Sequence, residues 1–270
     1  MSTILVNDLT IYYEISGDGS PLVLLPGMLG TIESHWRRFI PTLAKYYCTI
    51  AVDLRGHGRT GNPAPSGKAG TGELHIGQLA DDLNGLLDTL GFERASVLGY
   101  SLGGSVGLLA GLKRPGCIRA LVMHATKFFW DEASISAMVA DLNPDTVLEK
   151  TPRFAQALQK GHAAIYGHDY WRVLLSTAAR FIKTMPEQGP TIEQAVEADF
   201  PILVSVGDRD QLVLLDEAIR LVRALPKGEL LVLPATRHPF QSVRLDPFLP
   251  VLLDFLERAC KPETEGTSST

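Results

Sequence analysis

The chain has 270 residues, of which 45% are hydrophobic, and its 25 Lys and Arg against 30 Asp and Glu give a formal net charge of −5. This length and apolar content suit one large domain that buries a full core. The mild negative charge, without any block of Lys or Arg, argues against nucleic acid or an anionic membrane as a partner.

The sequence shows no sign of secretion or of a disulfide framework. Its first sixteen residues lack the basic and then apolar profile of a signal peptide, and no apolar run approaches the length of a membrane span. The three cysteines are isolated and odd in number, which predicts reduced thiols, with Cys48 and Cys117 buried. We expect a cytoplasmic protein.

Short apolar runs alternate with segments of helical spacing over the first 125 residues. The first two runs predict a strand hairpin, and the later ones are typical of strands buried on both faces of a parallel sheet. In chain order the sequence predicts strands at 2–6, 10–16 and 22–25, a helix around 36–43, a strand at 49–52, a helix at 76–90, a strand at 95–100, a helix at 105–113 and a strand at 120–123. Residues 61–73, rich in Gly, Pro and Ser, predict a surface loop.

The alternation stops near Thr126 and returns near residue 200. The stretch between is rich in aromatic residues and predicts helices at 131–142, 152–166 and 168–185. Beyond it the sequence predicts strands at 202–206 and 229–233 and helices at 214–224 and 246–259. Strands alternating with helices predict an α/β fold, a mostly parallel sheet with helices on both faces. We expect a core formed by residues 1–125 and 200–260, a helical cap formed by 126–199, and a disordered tail at 261–270.

The stretch around Ser101 predicts a reactive serine. An apolar run leads into Gly-x-Ser-x-Gly at 99–103, and a helical segment follows directly. Strand, tight turn and helix form a nucleophile elbow, which holds a serine hydroxyl clear of the backbone. Gly99 and Gly103 are needed where a Cβ would collide with the neighbouring strand and helix. The competing interpretation is a Gly-rich turn between two core elements.

Two further polar side chains follow predicted strands and complete a chemical set with Ser101. A serine hydroxyl is a weak nucleophile until a base takes its proton, and that base needs a third group to orient it. His238 is the candidate base and Asp210 the candidate acid, with Asp208 as its rival, which we expect to bond the amide two residues on. Because ligands of open α/β sheets sit beyond the carboxyl ends of the strands, we expect these groups to lie close together.

The order Ser101, Asp210, His238, together with the stretches LLPGMLG, VDLRGHGRT, GYSLGG, SVGDRDQ and TRHP, resembles the α/β-hydrolase fold superfamily. The resemblance covers nearly the whole chain; the helical insertion alone lacks a family signature. It implies that Ser101 is the nucleophile, that His238 is the general base and then the general acid, and that Asp210 orients it.

The resemblance also implies an oxyanion hole formed by the backbone N–H groups of Met28 and Leu102. Pro26 stands where many relatives have His, which leaves the amide donor itself in place. The aromatic cap is expected to line the pocket, with Trp130 and Trp171 as substrate-binding residues. The competing interpretation is that each of these aromatic side chains only packs the cap together.

Hydrolysis of a carboxylic ester or lactone, on a small to medium and largely apolar substrate, is the implied activity, through an acyl-enzyme and without a cofactor or metal. Ser101 argues against epoxide hydrolases and haloalkane dehalogenases, which use an aspartate nucleophile. Leu102 and Pro239 stand where prolyl aminopeptidases and carbon–carbon bond hydrolases usually carry tryptophan. Two alternatives stay open: a small-molecule receptor or interaction protein that keeps the triad, and a pathway enzyme that releases or cyclises an acyl chain. A small-molecule substrate is the expected partner, and the oligomeric state is left open.

Six other histidines compete with His238 for a role. His57, in a Gly-rich turn, is expected to be structural, and His124 either lines the pocket or packs in its wall. The remaining four are expected at the surface or at helix caps, namely His35, His75, His162 and His168.

Overall fold

The computed structural model describes residues 2–63 and 72–260. Its strands are β1 (Ser2–Val6), β2 (Leu9–Ser16), β3 (Pro21–Leu25), β4 (Cys48–Val52), β5 (Ala95–Tyr100), β6 (Ile118–His124), β7 (Ile202–Gly207) and β8 (Gly228–Leu233). They form one sheet in the spatial order β1-β2-β4-β3-β5-β6-β7-β8. β2 runs antiparallel to both β1 and β4, and the other neighbours pair in parallel. The predicted α/β fold is confirmed.

Helices connect and cover the strands. They are α1 (Ile40–Leu43), α2 (Ile76–Thr89), α3 (Leu102–Lys113), α4 (Glu132–Asp141), α5 (Pro144–Lys150), α6 (Pro152–Tyr166), α7 (Tyr170–Gln188), α8 (Ile192–Ala195), α9 (Leu215–Ala224) and α10 (Leu245–Cys260). A π-helical turn at Ile32–Trp36 precedes α1, and a 3₁₀ turn at Phe240–Ser242 precedes α10. Among the described residues, none of these helices combines the length and apolar character needed to cross a membrane.

The sheet is buried between two layers of helices, because alternate residues of each strand point to opposite faces. In β3, Val23 and Leu25 pack into the cluster formed with α2, α3 and α9. Leu22 and Leu24 pack into the cluster formed with α1 and α10. Every residue of β5 is buried as well. The order β4-β3-β5 places the loops that follow β3 and β5 side by side, which is where ligands bind in open sheets of this kind.

Helices α4–α8 form an insertion between β6 and β7, hereafter the helical insertion (residues 126–199). The sequence did not predict α5 and α8. Both are short, and their starts are set by side-chain caps: Asn143 accepts from two backbone amides, and Thr191 and Gln194 form a capping box. The insertion has its own apolar cluster, which includes Leu158 and Trp171.

The structure differs from the sequence-based expectation at one cysteine and at one helix. Cys117 is buried as expected, but Cys48 is only half-buried. The helix expected around 36–43 is divided into the π-helical turn and α1. Most of the expected surface loop (64–71) and the expected disordered tail (261–270) lie outside the described residues.

Candidate active site

Ser101 lies on a strained turn between β5 and α3. Its backbone has φ +50° and ψ −115°, a left-handed conformation that costs a non-glycine residue about 1–3 kcal/mol. Its N–H donates to the carbonyl of His124 at 2.8 Å, and its carbonyl accepts from Gly104 at 3.0 Å. A Cβ at Gly99 would overlap the backbone of Gly103, and glycine therefore permits this close approach.

His238 and Asp210 form a hydrogen-bonded pair. Nδ1 of His238 lies 2.9 Å from Oδ2 of Asp210, whose side chain is fully buried. An ionised carboxylate only accepts hydrogen bonds, so Nδ1 carries the proton and Nε2 is left as an acceptor. The other carboxylate oxygen, Oδ1, accepts from the N–H groups of Leu212 and Val213 at 2.8 and 2.9 Å. The hydroxyl of Tyr100 donates to the carbonyl of His238 at 2.8 Å and so helps to hold that loop in place.

The electrostatics of Asp210 favour its charged form. Burial by itself raises the pKa of this carboxyl, but the hydrogen bond and charge of His238 and the two backbone amides outweigh it and hold the pKa below its ordinary value. Asp208 is in a different setting: its Oδ1 accepts from the N–H of Thr236 at 3.3 Å, and its side chain is 35% exposed. The Asp208 turn bond expected from the sequence is absent, because the N–H of Asp210 donates to the carbonyl of Gly207 instead.

Ser101 and His238 line two neighbouring cavities. Ser101 opens into a small, largely apolar cavity of about 50 Å³, whose wall includes Trp130 and Phe181. His238 and Asp210 line a wider one of about 1270 Å³. Both are lined by Lys127, Met138 and Leu212, so they adjoin. Ser101 and the His238–Asp210 pair therefore line adjoining cavities.

Met28 and Leu102 face the same small cavity as Ser101. Leu102 is the first residue of α3, where backbone N–H groups have no partner within the helix and the helix dipole favours negative charge. Met28 lies in the loop after β3 (residues 26–30), hereafter called the oxyanion loop after the role that the sequence predicts for Met28. The N–H of Gly30 donates to the carbonyl of Gly27 at 3.0 Å and closes that loop as a turn. Backbone N–H groups are the donors that an oxyanion hole uses, and those of Met28 and Leu102 remain the predicted ones.

Residues 20–158, more than half of the chain, match the family model described as the alpha/beta hydrolase fold. The chain belongs to the α/β-hydrolase fold family. This α/β-hydrolase is 27% identical over 259 residues to the human serine hydrolase BPHL, covering 93% of this chain and 84% of that protein. It is 28% identical over 270 residues to the putative carbamate hydrolase RutD of Agrobacterium fabrum, covering 91% and 98%. The solved enol-lactonase of Burkholderia xenovorans superposes with a TM-score of 0.74 at 21% identity, covering 95% and 100%.

The two tryptophans expected to bind substrate occupy different places in this α/β-hydrolase. Trp130 lies in the wall of the Ser101 cavity. Trp171 is only 4% exposed and packs within the apolar cluster of the helical insertion, between Val147, Leu158 and Leu175. The expectation that Trp171 lines the pocket is therefore wrong: its side chain packs inside the insertion. Residue type and spacing alone do not distinguish a tryptophan that lines a cavity from one that packs inside the insertion.

Two histidines expected at the surface lie close behind the oxyanion loop. His35 is packed edge-on against the ring of Tyr100, and its Nδ1 accepts from the N–H of Gly27 at 3.3 Å. His162 is 2% exposed and contacts the loops after β3 and β4. One sequence signal does point inward for His162: it follows Leu158 by four residues and Ala155 by seven, and both are apolar positions on one face of a helix.

The other histidines agree better with expectation. His57 is fully buried, with Nδ1 2.9 Å from the carbonyl of Arg55, which fits a structural role. His124 is also fully buried, with Nδ1 3.1 Å from the hydroxyl of Ser205, so of the two roles left open for it the structure favours packing. His75 and His168 are exposed.

Lys127 is a buried charge that sequence reasoning missed. Its side chain is 7% exposed, and its Nζ donates to the carbonyl of Leu212 at 3.2 Å and pairs with Glu217 at 3.3 Å. Burial raises the pKa of Glu217 although Lys127 lies beside it. The pair ties the start of the helical insertion to α9 at the wall of both cavities. Within the ranges the structure covers, no three His, Cys, Asp or Glu side chains are grouped so that they could hold a metal ion.

The buried histidines predict a stability that falls in mild acid. Burial lowers the pKa of His35, His124 and His162 to about 3 and that of His57 to about 4. Below about pH 6.5 these histidines become protonated in the unfolded chain but stay neutral in the folded chain. The free energy of unfolding therefore falls as the pH drops. Burial raises the pKa of Asp53 to about 6, which acts in the opposite direction and offsets part of this.

Between pH 7.5 and 5.5 we expect a loss on the order of 1 kcal/mol per buried histidine, measured by denaturant unfolding at each pH. His57→Gln should make the loss of unfolding free energy over this pH range smaller by the contribution of one histidine, on the order of 1 kcal/mol. His168→Gln makes the same chemical change at an exposed position and serves as its control. Unfolding free energies that stay level across this range would contradict the neutral, buried state of these side chains.

Proposed function

We propose that this α/β-hydrolase is a serine hydrolase that cleaves a carboxylic ester or lactone of a small to medium, largely apolar substrate. The observation that carries the proposal is the His238–Asp210 hydrogen bond of 2.9 Å beside the cavity that contains Ser101. These residues follow the carboxyl ends of β5, β7 and β8. A serine, a histidine base and an acid that orients it are the groups that nucleophilic acyl transfer uses, which supports the proposal.

In the proposed reaction, Nε2 of His238 takes the proton from Ser101 as its Oγ attacks the substrate carbonyl. The carbonyl oxygen becomes negative and accepts hydrogen bonds from the N–H groups of Met28 and Leu102. Asp210 stabilises the imidazolium that forms. When the tetrahedral intermediate collapses, the leaving oxygen takes the proton from His238. Water, activated by the same histidine, then attacks the acyl-enzyme and releases the acid.

The two cavities suggest which part of the substrate lies where. His238 must protonate the leaving group, so that group belongs in the wide cavity that His238 lines. The acyl group then occupies the small apolar cavity of about 50 Å³ beside Ser101. We therefore propose a short acyl group, with the helical insertion acting as the cap that closes over it through Trp130.

Chain-length preference tests this assignment. We expect kcat/KM to fall at least about tenfold from p-nitrophenyl butyrate to the octanoate, because about 1.4 kcal/mol of misfit suffices for that factor. Trp130 and Met185 line both the small cavity and a third cavity of about 360 Å³ near Arg220. Trp130→Ala should open this space and remove most of the octanoate penalty.

Trp171→Ala is the matched control for that experiment. It removes the same side chain from the packed interior of the insertion, so it should lower the melting temperature but keep the butyrate-to-octanoate ratio of the wild type. A ratio measured within one preparation does not depend on how much of that preparation is folded. If Trp171→Ala changes the ratio and Trp130→Ala does not, the acyl group lies elsewhere.

Labelling with a fluorophosphonate, followed by peptide mapping and a turnover assay with short aryl esters, tests the proposed function itself. We expect one label, on Ser101, and many turnovers per protein. A single turnover would indicate the receptor alternative, and a label on another residue would remove Ser101 from its proposed role. Similarity over nearly the full length to a putative carbamate hydrolase gives a reason to include an aryl carbamate in the same assay.

A further inference from the structure

His162 makes two hydrogen bonds that join three separate parts of the chain. It lies on α6 in the helical insertion, and its Nδ1 is 2.8 Å from the N–H of Gly58, in the loop after β4. Its Nε2 is 3.1 Å from the carbonyl oxygen of Leu29, in the oxyanion loop. Because a backbone N–H only donates, Nδ1 is the acceptor, and Nε2 must carry the proton and donate to Leu29. Both ring nitrogens are used in a single fixed tautomer.

The bond to Leu29 is connected to the amide of Met28 through two peptide units that a hydrogen bond joins. The carbonyl of Leu29 belongs to the same planar peptide unit as the N–H of Gly30. That N–H donates to the carbonyl of Gly27 at 3.0 Å, and this carbonyl shares its peptide plane with the N–H of Met28. Holding the Leu29 carbonyl therefore fixes the direction of the Met28 amide, and such chained hydrogen bonds strengthen one another.

The oxyanion loop needs this support because its backbone is strained. Leu29 has φ +65°, which is unfavourable for a side chain other than glycine and persists only where the surroundings hold it. The Leu29 side chain packs against the apolar cluster of the helical insertion, the cluster that contains Leu158 and Trp171. Both the carbonyl and the side chain of Leu29 are thus held by the insertion.

The far side of the His162 ring is fixed by the core. Gly58 lies in the loop after β4, and the buried carboxylate of Asp53 binds that loop through Arg59 N–H at 3.0 Å. The same carboxylate accepts from Ile32 N–H at 2.8 Å, directly beyond the oxyanion loop. The ring is therefore held between two loops that Asp53 already joins, so the position of Nε2 is defined by the core as well as by α6.

From this geometry we propose that His162 is a positioning residue, which sets the oxyanion hole by holding the carbonyl of Leu29 and so couples the helical insertion to the Met28 amide. The inference rests on the proposed function, since it assigns Met28 to the oxyanion hole. An amide that points correctly matters most when the oxyanion forms. Its loss therefore lowers kcat and leaves KM almost unchanged.

Two conservative substitutions separate the two hydrogen bonds of His162. In His162→Gln the amide nitrogen extends to the place of Nε2 and donates to Leu29. In His162→Asn the amide oxygen takes the place of Nδ1 and accepts from Gly58, but no donor reaches Leu29. We expect His162→Gln to keep kcat within about threefold of the wild type and His162→Asn to lose about tenfold to a hundredfold, each with KM within about twofold.

His57→Gln is the control for replacing a buried histidine in this region. The His57 ring lies 5.8 Å from that of His162, and its hydrogen bond goes to Arg55 rather than to the oxyanion loop. It should leave kcat unchanged. Equal losses in His162→Gln and His162→Asn, a change confined to KM, or full kcat in His162→Asn would each overturn the proposal.

Amide hydrogen exchange of the peptide that spans the oxyanion loop gives a readout that does not need turnover. His162→Asn should speed exchange at Gly30, whereas His162→Gln and His57→Gln should not. Unchanged exchange in His162→Asn would overturn the positioning role even if the wild type were inactive on every ester. Inactivity of the wild type together with faster exchange in His162→Asn would overturn the proposed function and leave the coupling of His162 to the loop in place.

Discussion

Replacing Ser101 with Ala is expected to leave a folded protein whose ester turnover is lower by about 10⁶, the loss typical when the nucleophile of such a triad is removed. The fold should survive because the turn is held by backbone bonds, from Ser101 N–H to His124 and from Gly104 N–H to Ser101, which alanine keeps. The measurement is kcat for a short aryl ester, with the melting temperature recorded on the same sample.

Ser96→Ala provides the matched control for that substitution. Ser96 lies on β5, the strand that leads into Ser101. It is 1% exposed, and its hydroxyl has no hydrogen-bond partner among the described residues. It makes the same chemical change away from the cavities and should retain wild-type turnover. If Ser101→Ala keeps more than a tenth of the activity, a covalent intermediate on Ser101 is ruled out.

The parts of this fold that the sequence could predict are those with a local physical signal. Apolar runs of strand length, helical spacing and glycine turns are enough to predict the order of β1–β8 along the chain and the elbow at Ser101. The sequence ties Gly99 and Gly103 to a close approach of strand and helix, and a Cβ at either position would overlap backbone atoms of a neighbouring element. A pattern repeated within a few residues is visible in the chain itself.

The parts that could not be predicted depend on contacts between distant residues. His162 bonds Gly58 and Leu29, which are 104 and 133 positions away, and no local pattern records such a pairing. Trp130 and Trp171 are equally aromatic, yet one lines a cavity and the other packs the helical insertion. Lys127 is charged and was not expected inside, because its partner Glu217 is 90 positions along the chain.

Asp210 and Asp208 are the two candidates for the acid that orients His238, and Asp210→Asn tests the choice of Asp210. The carboxylate of Asp210 requires the proton of His238 to be on Nδ1. Nε2 is then the acceptor that the proposed reaction needs for the Ser101 proton. An asparagine can present its NH₂ group to Nδ1 and favour the opposite tautomer, and it cannot stabilise the imidazolium. We expect kcat to fall by about 10⁴. The amide oxygen can still accept from Leu212 and Val213, so the melting temperature should stay close to that of the wild type.

Asp208→Asn is the control, since it makes the same chemical change two residues away. Asp208 accepts from the N–H of Thr236 at 3.3 Å, and an asparagine oxygen accepts that bond equally well, so kcat should fall less than about tenfold. Both variants are measured at one pH with the same aryl ester. A crippled Asp208→Asn beside a mild Asp210→Asn would exchange the two roles. That result would also require the His238 loop to move, because in this structure Nδ1 of His238 is bonded to the carboxylate of Asp210 and not to that of Asp208.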